Sequence, residues 1–172
     1  MGLIISSILW WNDYIAKIFD PYLTIFNSLP KVALGPIIII IAGANQKSII
    51  IMALLISVII TIINMYQSFI LTDENKIKLL KSFKATKFQI YKYLILPNSF
   101  SSIISTIKIN ISMSLVGVIM GEFLVSKEGI GYLIMYGSQV FNLNLVMTGI
   151  FLLLIISAVL YYLVVLLERR KN

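Results

Sequence analysis

DENKIKLLKSFKATKFQIYKY, residues 73–93, holds six of the fourteen Lys and Arg residues of this 172-residue chain, and long apolar stretches close it in on both sides. A basic island between greasy walls is the pattern of a loop in a polytopic membrane protein, because Lys and Arg collect on the cytoplasmic side. Within it Ile77, Leu80 and Phe83 recur every three residues with Leu79 beside them, and Lys76, Lys78, Lys81 and Lys84 fill the positions between. That spacing predicts a short amphipathic helix over 74–84 with a strongly basic face. Asp73 and Glu74 fall in its first turn, where negative charge complements the helix dipole and caps the free N–H groups. Three turns are marginal alone, so the helix needs a surface to pack on. Periodicity leaves two open: an anionic leaflet into which Phe83 and the leucines dip, or a groove on a peripheral protein. A solvated charge run explains the lysines but not the spaced Leu and Phe.

The rest of the chain supports a lipid environment. Hydrophobic residues make up 59% and charged residues only 12%, with a mean hydropathy of +0.97. A soluble fold of this size would expose large apolar patches with such a composition. The net charge of +7, which would suggest nucleic acid in a soluble protein, reads here as orientation, and no nucleic-acid partner is expected. With no cysteine and no histidine, disulfides and thiolate metal sites are excluded and the commonest acid–base group is missing. No catalytic residue, metal or cofactor is expected. Too few spans are present for the inverted repeats of a self-contained secondary carrier.

Four apolar segments are expected as spans. Residues 29–42 reach spanning length only by recruiting part of 22–28, with a kink at Pro30 or Pro36. Residues 48–65, 98–125 and 145–167 follow, and Gly43 to Lys47 form a tight turn between the first two. Residues 1–11 form about half a span, the tail of a membrane helix whose beginning is expected to be absent. The fold class is therefore all-α, a transmembrane helical bundle of four full spans plus an N-terminal partial span. It is one domain over 1–172, with a cytoplasmic loop at 67–97 and an external loop at 126–144. The basic tail Arg169, Arg170 and Lys171 shares the side of the 73–93 loop, so the C-terminus is cytoplasmic, the 43–47 turn lies outside and residues 12–28 lie inside.

Three stretches together resemble the membrane permease of bacterial ATP-binding-cassette importers, in its nitrate, sulfonate and taurine branch. DPYLTIFNSLPKVALGPIIII, residues 20–40, resembles that branch's proline–alanine–leucine–proline stretch at Pro21, Leu29, Pro30, Ala33, Leu34 and Pro36. GEFLVSKEGIGYLI, residues 121–134, resembles its acid-Phe segment followed by Gly-x-Gly-Tyr-Leu-Ile. The family's cytoplasmic signature keeps its spacing, ending at Leu96 and Pro97, but Lys78, Leu79 and Leu80 replace its Glu-Ala-Ala and Lys84 its glycine. If that glycine adopts a left-handed conformation, the lysine costs about 1 kcal/mol or more.

The resemblance implies a type I importer permease of the bacterial inner membrane, forming the path for a small solute. The solute would be an anion such as sulfonate, taurine or nitrate, or a thiamine-precursor pyrimidine. Implied partners are cytoplasmic ATP-binding subunits, a second permease subunit in a homodimer, an extracytoplasmic solute-binding protein and membrane lipid. It also implies that Ile77, Leu80 and Phe83 dock in a cleft of the ATPase, with Lys81 and Lys87 facing its acidic rim and Lys84, Leu96 and Pro97 shaping the loop. Such permeases have about six spans, so a truncated or split permease acting only as a structural membrane subunit is the alternative.

Several residues within the spans invite either a path or a packing role. Ser105 and Ser112, among a series of Ser and Thr from 99 to 114, either line a translocation path or satisfy helix carbonyls. Gly117 and Gly121 form a G-x-x-x-G pair that permits close helix approach, between subunits or within one. Glu122 and Lys108 are the charges of the third long segment; Glu122 is placed near its external end, and Lys108 snorkels. Gly129 and Gly131 are expected to shape a turn or re-entrant segment. Trp10, Trp11 and Tyr14, with Tyr91 and Tyr93, fit an interfacial aromatic belt.

Overall fold

A computed structural model describes residues 1–169, and every regular element among them is helical. Ten α-helices follow in order: α1 Gly2–Trp11, α2 Asp13–Ser28, α3 Gly35–Ala42, α4 Gln46–Ile70, α5 Glu74–Ser82, α6 Lys87–Ile90, α7 Leu96–Asn98, α8 Phe100–Val125, α9 Ile130–Gln139 and α10 Leu143–Arg169. A 3₁₀ turn at Lys31–Leu34 precedes α3, and a π-helical turn at Tyr91–Ile95 joins α6 to α7. Of the tail expected to orient the chain, Arg170 and Lys171 lie outside the described residues.

Three helices are long and apolar enough to cross a bilayer: α4 with 25 residues, α8 with 26, and the 24 residues Leu143–Leu166 of α10. At 1.5 Å per residue each reaches about 36–39 Å, more than the roughly 30 Å of hydrocarbon. Their outward apolar side chains are widely exposed, as at Leu54, Leu154 and Val159. Lipid satisfies such a surface and water does not.

The first expected span differs. Instead of one kinked helix over 22–42, the chain breaks at Leu29 and Pro30, between α2 and the 3₁₀ turn. Residues 12–28, expected as an inner connection, are largely helical, with Pro21 inside α2. Proline at 30 disfavours the helical region for Leu29, which ends the helix there. Pro36 makes no kink, because it sits in the first turn of α3, where its missing N–H would have had no helical acceptor. The four-span count therefore holds when the broken pair is taken as one span.

The turn at 43–47 forms as expected. Gly43 ends α3 at φ 86°, and Asn45 Oδ1 accepts from the Lys47 N–H at 2.8 Å, filling one of the orphan donors of α4.

The described residues sort into two compact units. The first comprises Met1–Asn27 and Ile59–Ile107. Its core is Met65, Phe69, Ile90 and Ile95, with Trp10, Ile77, Leu80, Tyr91 and Ile103 packed around it. Tyr91 is the centre of the aromatic packing: its ring lies 5.2 Å from Trp10 and 5.8 Å from Phe69, and its hydroxyl hydrogen-bonds Ser7 Oγ. Asn98 Nδ2 donates to Thr72 Oγ1 at 3.4 Å, joining the segment before α8 to the end of α4.

The second unit comprises Ser28–Val58 and the described residues from Lys108 onward. Here small residues set the distances. A Cβ on Gly117 would lie 2.5 Å from Ala53 Cα, and one on Gly121 would lie 2.9 Å from Ile49 Cα. The glycines of α8 thus meet two positions of α4 that are also four apart, so the G-x-x-x-G pair packs helices within one chain. Helices α9 and α10 form a hairpin in which Gly149 lies against Ile134.

Candidate functional site

The loop at 71–99 lies wholly in the first unit. Asp73 caps α5, its carboxylate accepting from the Asn75 N–H at 2.8 Å. The helix runs Glu74–Ser82, two residues shorter than the apolar spacing predicts. Its end explains the difference. Phe83 is the C-cap, the Lys84 N–H donates to Lys81 O at 2.9 Å and the Ala85 N–H to Leu80 O at 3.0 Å. These are the two bonds of a Schellman motif, and they require a left-handed residue between cap and exit. Lys84 supplies it at φ 58°.

A lysine there carries the Cβ penalty that glycine avoids. Lys84→Gly is therefore expected to stabilise the unit by about 1 kcal/mol, read as a raised midpoint for thermal loss of helical signal in micelles.

The apolar ridge of α5 has two edges, and they face different ways. Ile77 and Leu80, expected to dock on a partner, are half-buried against the core of their own unit. Leu79 and Phe83 point outward, 56% and 74% exposed. The stripe is wide because apolar positions occur three and four apart; 77 and 80 share one side of it, 79 and 83 the next. The exposed ridge is thus Leu79 and Phe83, while Ile77 and Leu80 anchor the helix from below.

Lys81 and Lys87 line one cavity with Trp10. Lys87, for which the resemblance implies an acidic rim, donates within this chain to Trp11 O at 2.7 Å and lies 5.4 Å from the centre of the Trp10 ring. Thr86 starts α6 with a capping box: the Gln89 N–H donates to Thr86 Oγ1, and Gln89 Oε1 accepts from the Thr86 N–H at 2.7 Å. Its T-K-F-Q sequence carries the S/T-x-x-E/Q signal, which lies beyond the 74–84 spacing from which the loop helix is predicted. Leu96 and Pro97 open α7. The Leu96 N–H bonds back five residues to Tyr91 O. Pro97 has no N–H to give and its ring crowds the carbonyl four residues back, which accounts for the widened turn before it.

In the second unit Glu122 explains the Gly-x-Gly of the downstream segment. It sits in the last turn of α8, where the helix dipole disfavours a carboxylate. The N-terminus of α9 offsets this: Glu122 Oε2 accepts from the Gly131 N–H at 2.6 Å. Both glycines leave room for the acid. A Cβ on Gly129 would lie 2.4 Å from Glu122 Oε1, and one on Gly131 2.8 Å from Oε2. Gly129 also holds φ 104° as N-cap. Glu122 is thus a helix cap supplied from another helix. It also borders a cavity of about 660 Å³ with Asn45, Lys127 and Glu128.

Ser105 and Ser112 are exposed on α8, seven residues apart and hence on one side of that helix. Ser112 lines a cavity of about 340 Å³ with Val116, Leu153 and Ser157. The half-buried Lys108 lies on the same helix.

Long apolar helices joined by a capped amphipathic loop helix define an integral membrane protein of the all-α class. The chain belongs to the family of binding-protein-dependent transport system inner membrane components, which it matches over residues 1–172. It is similar to the formylaminopyrimidine transport permease of Halalkalibacterium halodurans, at 26% identity over 77% of this chain and 53% of that protein. It is also similar to the riboflavin transport system permease of Chloroflexus aurantiacus, at 26% identity over 95% of this chain and 60% of that protein. A putative aliphatic sulfonates transport permease of Bacillus subtilis is 24% identical over 99% of this chain and 62% of its own length. The chain thus spans between 53% and 62% of the length of these relatives.

Proposed function

We propose that this chain is the transmembrane subunit of an ATP-driven importer, and that the loop at 67–97 couples it to a cytoplasmic ATPase. The supporting observation is the two-sided helix α5. Ile77 and Leu80 tie it to the core of its unit, while Leu79 and Phe83 stand exposed on its outer edge. An element gripped from below and greasy above transmits a push, because the packed core beneath it does not yield. An apolar helix edge is the usual ligand of a protein groove. Lys84, Leu96 and Pro97 hold the ends of the loop in this reading, and the basic loop and C-terminus lie in the cytoplasm.

The family's description as binding-protein-dependent supports a binding protein as partner, which in this reading delivers the solute from outside, and the second permease subunit is a second copy of this chain. Closure of paired ATPases would bias the permease between two access states. The transported solute is a small anion such as a sulfonate, taurine or nitrate, or a pyrimidine, in keeping with the relatives named for aliphatic sulfonates and formylaminopyrimidine. Hydroxyls exposed on a membrane helix are poorly served by lipid, so Ser105 and Ser112 are assigned to the path.

Co-purification tests the coupling. Phe83→Asp is expected to lower the ATPase recovered with the tagged permease about tenfold or more, as for an aromatic hot spot, with membrane insertion unchanged. Ile77→Asp is expected to lower the amount of folded permease itself. Undiminished ATPase recovery with Phe83→Asp would overturn the docking assignment.

A further inference from the structure

The first unit holds a cavity of about 330 Å³ lined by Trp10, Asp13, Ile77, Lys81, Ala85, Lys87 and Ile90. We propose that it binds the headgroup of a phospholipid carrying both a phosphate and a primary ammonium, that is, a phosphoethanolamine headgroup.

Three observations point there. The first is position. Trp10 and Trp11 end the apolar helix α1, and the polar residues Asn12 and Asp13 follow at once. That change of polarity marks headgroup depth, where Trp is enriched and lysines meet lipid phosphates.

The second is preorganisation. Lys87 Nζ is pinned by its bond to Trp11 O and by the two indole rings, 5.4 and 6.0 Å away. An ammonium has three donors, so two remain for a phosphate. Lys81 is a second cation in the lining, and the volume lies at the small end of ligand pockets.

The third is the mixed charge of the lining. Asp13 opposes a purely anionic ligand, and among the described residues no ion pair joins it to Lys81 or Lys87. A zwitterion satisfies both signs: phosphate on the two lysines, ammonium on the carboxylate, each as a charge-assisted hydrogen bond. A choline headgroup fits worse. It has no N–H for Asp13, and the indole face that attracts quaternary ammonium already carries the Lys87 ammonium.

This site depends on neither ATPase coupling nor the orientation of the chain, since its lining belongs to one unit at the end of an apolar helix. The chain's two tryptophans, Trp10 and Trp11, make their fluorescence a direct reporter. The full chain in phosphate-free micelles is titrated with short-chain phosphatidylethanolamine, phosphatidylglycerol and phosphatidylcholine at equal mole fractions, and separately with inorganic phosphate. A saturable change is expected with phosphatidylethanolamine, with at least about tenfold weaker response to the other two lipids. Asp13→Asn should abolish the preference over phosphatidylglycerol. Lys81→Gln should weaken binding about tenfold while Lys81→Arg retains it, which separates loss of charge from loss of fold. Equal responses to the three lipids, or an unchanged Lys81→Gln, would overturn the site. A response to inorganic phosphate at the same concentration would overturn the lipid assignment in favour of a soluble anion.

Discussion

Gly117→Leu is expected to leave little folded protein in the membrane, the largest loss of any single substitution in the second unit. Even a methyl group there lies 2.5 Å from Ala53 Cα and 2.9 Å from Ala53 N. Both are backbone atoms of α4, so no rotamer change relieves the overlap and the two helices must separate. Overpacking in a yielding core costs about 1–3 kcal/mol, and a clash against backbone lies at or beyond the top of that range. In lipid the loss is not recovered elsewhere, because close van der Waals packing is what holds membrane helices together. Gly121→Leu meets Ile49 at 2.9 Å and is expected to follow closely, with Gly117→Ala intermediate. Resistance to protease in isolated membranes gives the order. Wild-type resistance of Gly117→Leu would mean that α8 does not approach α4 at this point.

The same glycine pair shows how far the sequence carries. G-x-x-x-G in an apolar segment announces close helix approach but cannot say against what, because the partner is chosen by tertiary packing. The loop helix was legible in more detail: the period of Ile77, Leu80 and Phe83 and the acidic cap follow from local chemistry, while a left-handed turn at Lys84 was implied only by the glycine of the resembled signature. Which edge faces out was not. The stripe from Ile77 to Phe83 is apolar on both sides of its midline, and only the position of Met65, Phe69 and Ile95 decides that Ile77 and Leu80 turn inward. The contacts of Lys87 within the chain were not legible, because the Trp11 carbonyl and the Trp10 ring lie more than seventy residues away along the sequence. The break at Leu29 and Pro30 was legible as a disturbance but not as a complete interruption, since proline in a membrane helix either kinks or ends it according to what satisfies the freed carbonyls.

Glu122→Leu is expected to unseat α9, and a graded series at this position distinguishes a cap from a charge needed for transport. Leucine keeps the bulk of the side chain but removes the acceptor of the Gly131 N–H. A hydrogen bond to a charged group contributes about 1.5–3 kcal/mol, and the orphaned donor makes its loss costly. Glu122→Gln retains a carbonyl oxygen for the bond and loses the charge that the N-terminus of α9 attracts, so a smaller loss of about 1 kcal/mol is expected. Gly129→Val should match or exceed the leucine variant, since it combines a branched side chain at φ 104° with a Cβ 2.4 Å from the carboxylate. Thermal melting in micelles is therefore expected to rank wild type first, then Glu122→Gln, then Glu122→Leu with Gly129→Val. A Glu122→Leu protein as stable as wild type would remove the cap. The acid and the two glycines form one device: the acid needs the space that the glycines leave, and the glycines are needed because the acid stands there.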